Sequence, residues 1–423
     1  MIERLALVLL RRFIIAGELN LTMPTGRLEC LSGPLDGPVA AINVRDYRTL
    51  IGLVIRPDLE FGEAYMDGRL TVGPAGLEPL AAFLFANTKS WQRHWAGRLT
   101  LFIGNLLAWI RHLNPPTRAR RNVAHHYDLT DELFASFLDP WRQYSCAYFL
   151  SDEDTLEDAQ VTKLARLAAK LNLQDGQHVV DIGCGWGGLA RALTACRHNI
   201  RVEGITLSQQ QLTFARQQAA KAGIEDRVNF ALRDYRCQEG SFDCVVSIGM
   251  LEHVGPRNYS SYFDKVADLL APGGIAVIHT IAVHGRATPV NRWMTKYIFP
   301  GGYLPSIDQL VRATDRRHLK ITDMEVMRGH YAETLKRWRL RFLQHRAKME
   351  TLHGPRFVRM WEFYLLSCEH FFRNQQGMVV QLQLAHDQFA VPAPRHYLQE
   401  LETEFRKVLC RKLPSGNESR SRT

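Results

Sequence analysis

One carboxylate and three glycines open the chemistry. In VVDIGCGWGGLARAL, residues 179–193, Asp181 stands two positions before Gly183, and Gly185 and Gly188 complete a GxGxxG spacing. Such a run reads as an apolar strand, a tight turn and a helix, whose bare backbone can approach a nucleotide. Many other side chains along the chain can bond or titrate, Cys146 in YSCAYF, Glu252 and His253 in MLEHVG, His279 in IHTI, Tyr331 in GHYAETL and Cys368 in YLLSCEHFF among them, and neither type nor spacing singles these out. On residue type alone these have plain readings too. Glu252 can cap a helix, a lone histidine in an apolar strand is commonly a satisfied core residue, and Tyr331 and Cys368 sit in helical-looking stretches where such residues pack.

Spacing alone does not name the nucleotide. Glu203, roughly twenty residues beyond the glycines, keeps a dinucleotide in play. Two details favour S-adenosylmethionine instead: Asp181 ends the first strand, where a carboxylate accepts from an ammonium and repels a pyrophosphate, and Trp186 puts bulk in a turn that a pyrophosphate needs bare. The end of the second strand, where a ribose-binding acid is usual, falls at Thr206 rather than at Glu203.

These residues need elements to hold them. From His178 the chain alternates strand and helix: HVVDIG, IRVEGIT, the helical QQQLTFARQQAAKAG, RVNFAL, FDCVVSIG, the helical YSSYFDKVADLL, then GIAVIHTI, with later strands at LKITDMEVM and GMVVQLQLA. Alternation of this kind predicts a mostly parallel, doubly wound α/β sheet with ligands at the carboxyl ends of its strands. Ahead of it, residues 1–113 read as a smaller mixed α+β domain, and 114–125, with two prolines and Arg118, Arg120 and Arg121, as a basic linker. The expected catalytic domain is 126–410, with an aromatic, Gly/Pro-rich insertion at 284–306, and 411–423 reads as a disordered polar tail.

Composition sets limits. The 423 residues are 46% hydrophobic and carry a net charge of +10, enough for a large core and suggestive of an anionic partner. The longest apolar runs are too short for a membrane span, so the expectation is a cytoplasmic protein. Eight cysteines show no CxxC pair, so reduced thiols and no metal site are expected.

At this point the motifs resemble a family. HYDLTDELFASFLDPWRQYSCAYFL, DIGCGWGGLA, GITLSQQQ, MLEHVGPRNY, IHTI and TKYIFPGGYLP follow the order and spacing of the cyclopropane-fatty-acyl-phospholipid synthases, and GEAYMDG resembles the signature of their N-terminal domain. The likeness runs over about residues 40–390. It departs at MVVQLQLAHD, where the family usually has a tryptophan–glutamine pair.

The resemblance implies a Rossmann-like class I methyltransferase that passes the methyl of S-adenosylmethionine to a cis double bond of a phospholipid acyl chain, then removes a proton to close a three-membered ring. It implies a bound bicarbonate ion as the base, in a pocket of Cys146, Glu252, His279, Tyr331 and Cys368. Cys146 would orient that anion, since a thiolate has no part in attacking an alkene. For the cofactor it implies Asp181, Gly183 and Gly185 in the turn, Thr206 and Gln211 toward the ribose, Asp234 and Tyr235 beside the adenine, and Tyr144 and Ser145 over the methionine end. Aromatic walls for a carbocation are offered by Tyr144, Tyr148, Phe149, Tyr297, Phe299 and Tyr303.

A lipid substrate demands a way onto the bilayer. TLKRWRLRFLQHRAKMETL puts Leu335, Trp338, Phe342, Met349 and Leu352 near one helical face among six basic residues, a pattern of interfacial helices and equally of a helix packed on a core. This helix and the arginine linker are the expected contacts with the inner face of the cytoplasmic membrane, and the N-terminal domain is a candidate for homodimer contacts. Other classes stay open: a tRNA or small-molecule methyltransferase, a relative that leaves a methyl branch or a hydroxyl, or a lipid-binding protein without activity. No RNA-binding module is visible, so nucleic acid is not an expected partner.

Overall fold

The computed structural model describes residues 2–93, 129–285, 287–315, 319–374 and 376–412. The Arg118, Arg120 and Arg121 linker, and all but the first two residues of the polar tail, lie outside these. The chain forms two compact units: 1–111, 288–300 and 335–376 make one, and 112–287, 301–334 and 377–423 the other.

The larger unit holds a seven-stranded sheet. Its strands are β1 (His178–Ile182), β2 (Arg201–Thr206), β3 (Val228–Leu232), β4 (Phe242–Ile248), β5 (Leu270–Val283), β6 (Lys320–Met327) and β7 (Gly377–Ala385). They lie in the order β6-β7-β5-β4-β1-β2-β3, parallel except for β7, which is antiparallel to both neighbours. The strand order reverses beside β1, so the space above its carboxyl end is open to a ligand. Helices α1 (Leu156–Lys170), α2 (Gly188–Cys196), α3 (Gln209–Ala222) and α7 (His396–Arg411) cover one face, and α4 (Tyr259–Leu269) and α5 (Ile307–Asp315) the other. The pleat explains the two cores: Val179 faces the first set and Val180 the second, and the same alternation splits Val246 from Val245 and Val277 from Ile278. Strands buried on both faces read as continuous apolar runs. The last helix used below, α6 (His330–Gln344), begins in this unit.

The other unit is the mixed α+β module. A four-stranded sheet, Leu28–Ser32, Ala16–Thr22, Leu35–Val44 and Leu70–Val72 in that order, packs with helices Ile2–Phe13, Tyr47–Ile55, Pro57–Met66 and Glu78–Arg93. It is not built from the N-terminal sequence alone, as the expected linear boundaries had it. Residues 288–300 and 335–376 join it, and the GEAYMDG segment is the seam: a Cβ on Gly62 would lie 2.2 Å from Trp293 Nε1, Tyr65 OH donates to Glu362 at 3.1 Å, and Arg359 Nε donates to Met66 O at 2.8 Å. The expected insertion at 284–306 is therefore divided, with Tyr297 and Phe299 in this unit and Tyr303 in the other.

Candidate active site

β1 ends in the glycine turn. Gly183 and Gly185 take φ of 85° and 55°, the left-handed region that only glycine enters at little cost, and the turn is tied down by Gly183 N and Cys184 N donating to Ile205 O. A Cβ on Gly185 would meet open space, so its backbone is the accessible part of the turn. Asp181 is 2% exposed, and its Oδ2 has no hydrogen-bond partner. Burial pushes this carboxyl up to about 7, against the pull of the nearby Lys163 ammonium. An orphaned buried carboxylate beside bare backbone fits a cationic ligand such as the methionine ammonium of S-adenosylmethionine.

The remaining cofactor candidates sit at the ends of β2 and β3. Thr206 and Gln211 are buried and bonded to each other, Thr206 Oγ1 donating at 2.7 Å, and Ser208 caps α3 through Gln211 N. Asp234 is paired with Arg236 at 2.7 Å, and Tyr235 meets Tyr262 edge-on at 5.3 Å. Trp186 does not act simply as bulk in the turn. It joins an aromatic cluster with Phe134 at 4.6 Å and Tyr144 at 6.3 Å, which anchors the segment before α1.

Glu252 follows β4, and His279 lies on the neighbouring β5 in register with the last residue of β4. His279 is 3% exposed, pairs in register with Ile248 on one side and Gln381 on the other, and shares a 3.1 Å hydrogen bond between Nδ1 and Gln381 Nε2. Burial, reinforced by Lys163 and Lys170, holds its imidazole down to about 3, so it is neutral at physiological pH. Glu252 Oε1 accepts from Ile281 N at 2.6 Å while Oε2 has no partner, and burial pushes the carboxyl up to about 7. His253 is likewise held neutral, near 4, by burial.

A different contact ties the segment of Cys146 to α6. Ala147 N donates to Thr334 Oγ1 at 3.0 Å, which binds the residue after Cys146 to the first turn of α6, where Tyr331 lies. Cys146 Sγ donates to Ala147 O at 3.2 Å, and burial pushes the thiol far above its ordinary range. Cys368 belongs to the other unit, on the helix Pro355–Arg373, and burial pushes its thiol up to about 12. Of the expected aromatic walls, Tyr148 is committed to Glu325 at 3.2 Å and stacks on His330 at 4.3 Å.

Sequence reading missed the polar residues behind this arrangement. Lys163 and Gln160 on α1, Gln381 on β7 and Thr334 on α6 all bond into it, and each falls in phase with apolar neighbours, a signal visible as a polar residue on a buried face. Among the described residues no group of three His, Cys, Asp or Glu is arranged to hold a metal ion.

The family model for mycolic acid cyclopropane synthetase matches residues 114–382. The chain belongs to this family. It is similar to the cyclopropane-fatty-acyl-phospholipid synthase of Escherichia coli K12, with 39% identity over 77% of this chain and 82% of that one. It is also similar to the tuberculostearic acid methyltransferase UfaA1 of Mycobacterium tuberculosis, at 40% over 69% and 73%. Among solved structures, the mycolic acid cyclopropane synthase CmaA1 complexed with SAH and CTAB aligns with a TM-score of 0.60 and 31% identity, covering 63% of this chain and 97% of that one. MmaA2 of Mycobacterium tuberculosis, a cyclopropane synthase, gives 0.60, 30%, 64% and 99%. The larger unit is thus a class I methyltransferase fold, and the enzyme depends on S-adenosylmethionine.

Proposed function

We propose that this enzyme adds the methyl carbon of S-adenosylmethionine across the cis double bond of an unsaturated phospholipid acyl chain to form a cyclopropane ring. The alkene π electrons attack the methyl, the S–CH₃ electrons return to sulfur, and S-adenosylhomocysteine leaves. Loss of one proton from the transferred methyl lets its C–H electrons close the ring. An alkene is a weak nucleophile that no base can activate, so placement and exclusion of water carry much of the rate.

The observation that carries the reading is Glu252, buried, with one oxygen fixed by Ile281 N and the other unpartnered. A carboxyl near 7 is protonated often enough at neutral pH to donate to an anion, and the neutral His279 ring keeps one N–H that can do the same. Neither the imidazole near 3 nor the buried Cys146 thiol is a ready base. This donor set suits bicarbonate, which would supply the proton acceptor, with Glu252, His279, Tyr331 and Cys146 as the residues to hold it.

Among the described residues no helix is long and apolar enough to cross a membrane. The expected docking helix needs revision: Leu335, Trp338, Phe342 and Met349 are buried, and only Leu352 of that stripe is exposed. Support for a peripheral lipid contact lies instead on the helix Ile2–Phe13, where exposed Leu5 and Val8 neighbour exposed Arg4, Arg11 and Arg12.

Incubating liposomes of a cis-unsaturated phospholipid with the protein and S-adenosylmethionine tests the reading by mass spectrometry and NMR. A gain of one CH₂ with cyclopropane signals supports it, and the same gain with a surviving methyl branch moves the chain toward its methyl-branching relative. No gain overturns the lipid substrate.

A further inference from the structure

Lys163 lies wholly buried on α1, yet its ammonium hydrogen-bonds two uncharged acceptors, the side-chain oxygen of Gln143 and Ser145 Oγ at 3.1 Å. A buried cation is costly unless its surroundings hold it firmly. Both acceptors belong to one short segment, and Gln160 on the same helix donates to Ser145 O at 3.0 Å, so α1 grips that segment at three points. The far side of the segment lies on the glycine turn. Gln143 Nε2 donates to Trp141 O, and a Cβ on Gly188 would lie only 1.9 Å from that same oxygen, while the Tyr144 ring meets Trp186 within the turn.

We propose that Lys163 is a positioning residue that holds segment 141–146 against the Gly183–Gly188 turn and thereby shapes the cofactor site. It touches neither cofactor nor lipid in this role. It acts through Gln143 and Ser145, and its field also reaches the Asp181 carboxylate. The proposal rests on the reading of the Asp181 turn as the S-adenosylmethionine site.

The test is calorimetric binding of S-adenosylhomocysteine and S-adenosylmethionine to the full chain, well below its unfolding temperature. Lys163→Met is expected to raise Kd for both ligands by at least ~10-fold, since the lost bonds are those of a charged donor. A folded Lys163→Met protein that binds both as the parent does would overturn the proposal. So would tighter binding of the cationic ligand alone, which would make Lys163 a repulsive charge. If Lys163→Met does not fold, Gln143→Leu and Gln143→Glu decide: loss in the first with retention in the second supports the grip, and equal behaviour overturns it. No lipid enters this assay, so a missing cyclopropane product counts against the substrate and leaves this result standing. A parent protein that binds neither ligand overturns the cofactor reading and this proposal together.

Discussion

Glu252 and Ile281 are joined across two elements, the carboxylate Oε1 accepting the backbone N–H at 2.6 Å. That bond fixes one oxygen and leaves the other without a partner. Glu252→Gln keeps an oxygen for Ile281 N and removes the exchangeable carboxyl proton. The expected result is a fall in kcat of ~10²–10⁴-fold with the unfolding temperature little changed. Rates measured in buffers stripped of bicarbonate and then replenished check the second half: the parent should recover with added bicarbonate and the variant should not.

Asp181 gives a pH dependence whose sign can be worked out. Its carboxyl, raised to about 7, is neutral below that value and ionised above it. Only the ionised form pairs with an ammonium, so affinity for S-adenosylmethionine should rise as pH is taken from 6 to 8. For stability the sign is opposite: a carboxyl raised by burial destabilises the unliganded fold when it ionises, so stability falls from the ordinary carboxylate range up through about 7. Calorimetry across that window, with Asp181→Asn as the flat control, measures the first effect.

Cys146 should prove dispensable as a nucleophile. Its thiol is un-ionised, buried and already donating to Ala147 O. Cys146→Ser should retain turnover to within ~10-fold, about 1.4 kcal/mol of barrier, and the native thiol should resist iodoacetamide at neutral pH. Single-turnover product formation reads the first, and mass spectrometry the second.

Gly62→Ala asks for space that Trp293 occupies, since the new Cβ would lie 2.2 Å from Nε1. Overpacking of this kind costs roughly 1–3 kcal/mol. Urea unfolding followed by tryptophan fluorescence should show that loss.

Trp338 and Phe342 are buried, so their replacement by alanine should lower stability by about 3–5 kcal/mol. Liposome binding by the proteins that remain folded should be unaltered. Reversing Arg4, Arg11 and Arg12 should weaken binding to anionic liposomes, and added salt should do the same.

The sheet was legible because β1 to β5 carry apolar runs separated by glycine turns and helical periods, and these patterns are local. The cofactor turn was legible for the same reason: Asp181 and its glycines lie within a few residues of each other. Lys163 was not, because a lysine at a helical position reads as solvated until tertiary contacts show otherwise. Trp338 and Phe342 leave two readings open in the sequence, since an apolar stripe looks the same whether it meets lipid or a neighbouring helix, and their burial decides between them. The unit boundaries were hidden because Gly62 and Trp293 are distant in sequence and nothing local announces that they touch.

Because residues 288–300 and 335–376 belong with the N-terminal module, the chain passes back and forth between the units. During synthesis the first module therefore stays unfinished until the ribosome has passed residue 376, long after its own sheet has emerged. A cut in the linker would release an N-terminal fragment lacking the partners of Gly62 and Tyr65, so that fragment would not be an independent folding unit.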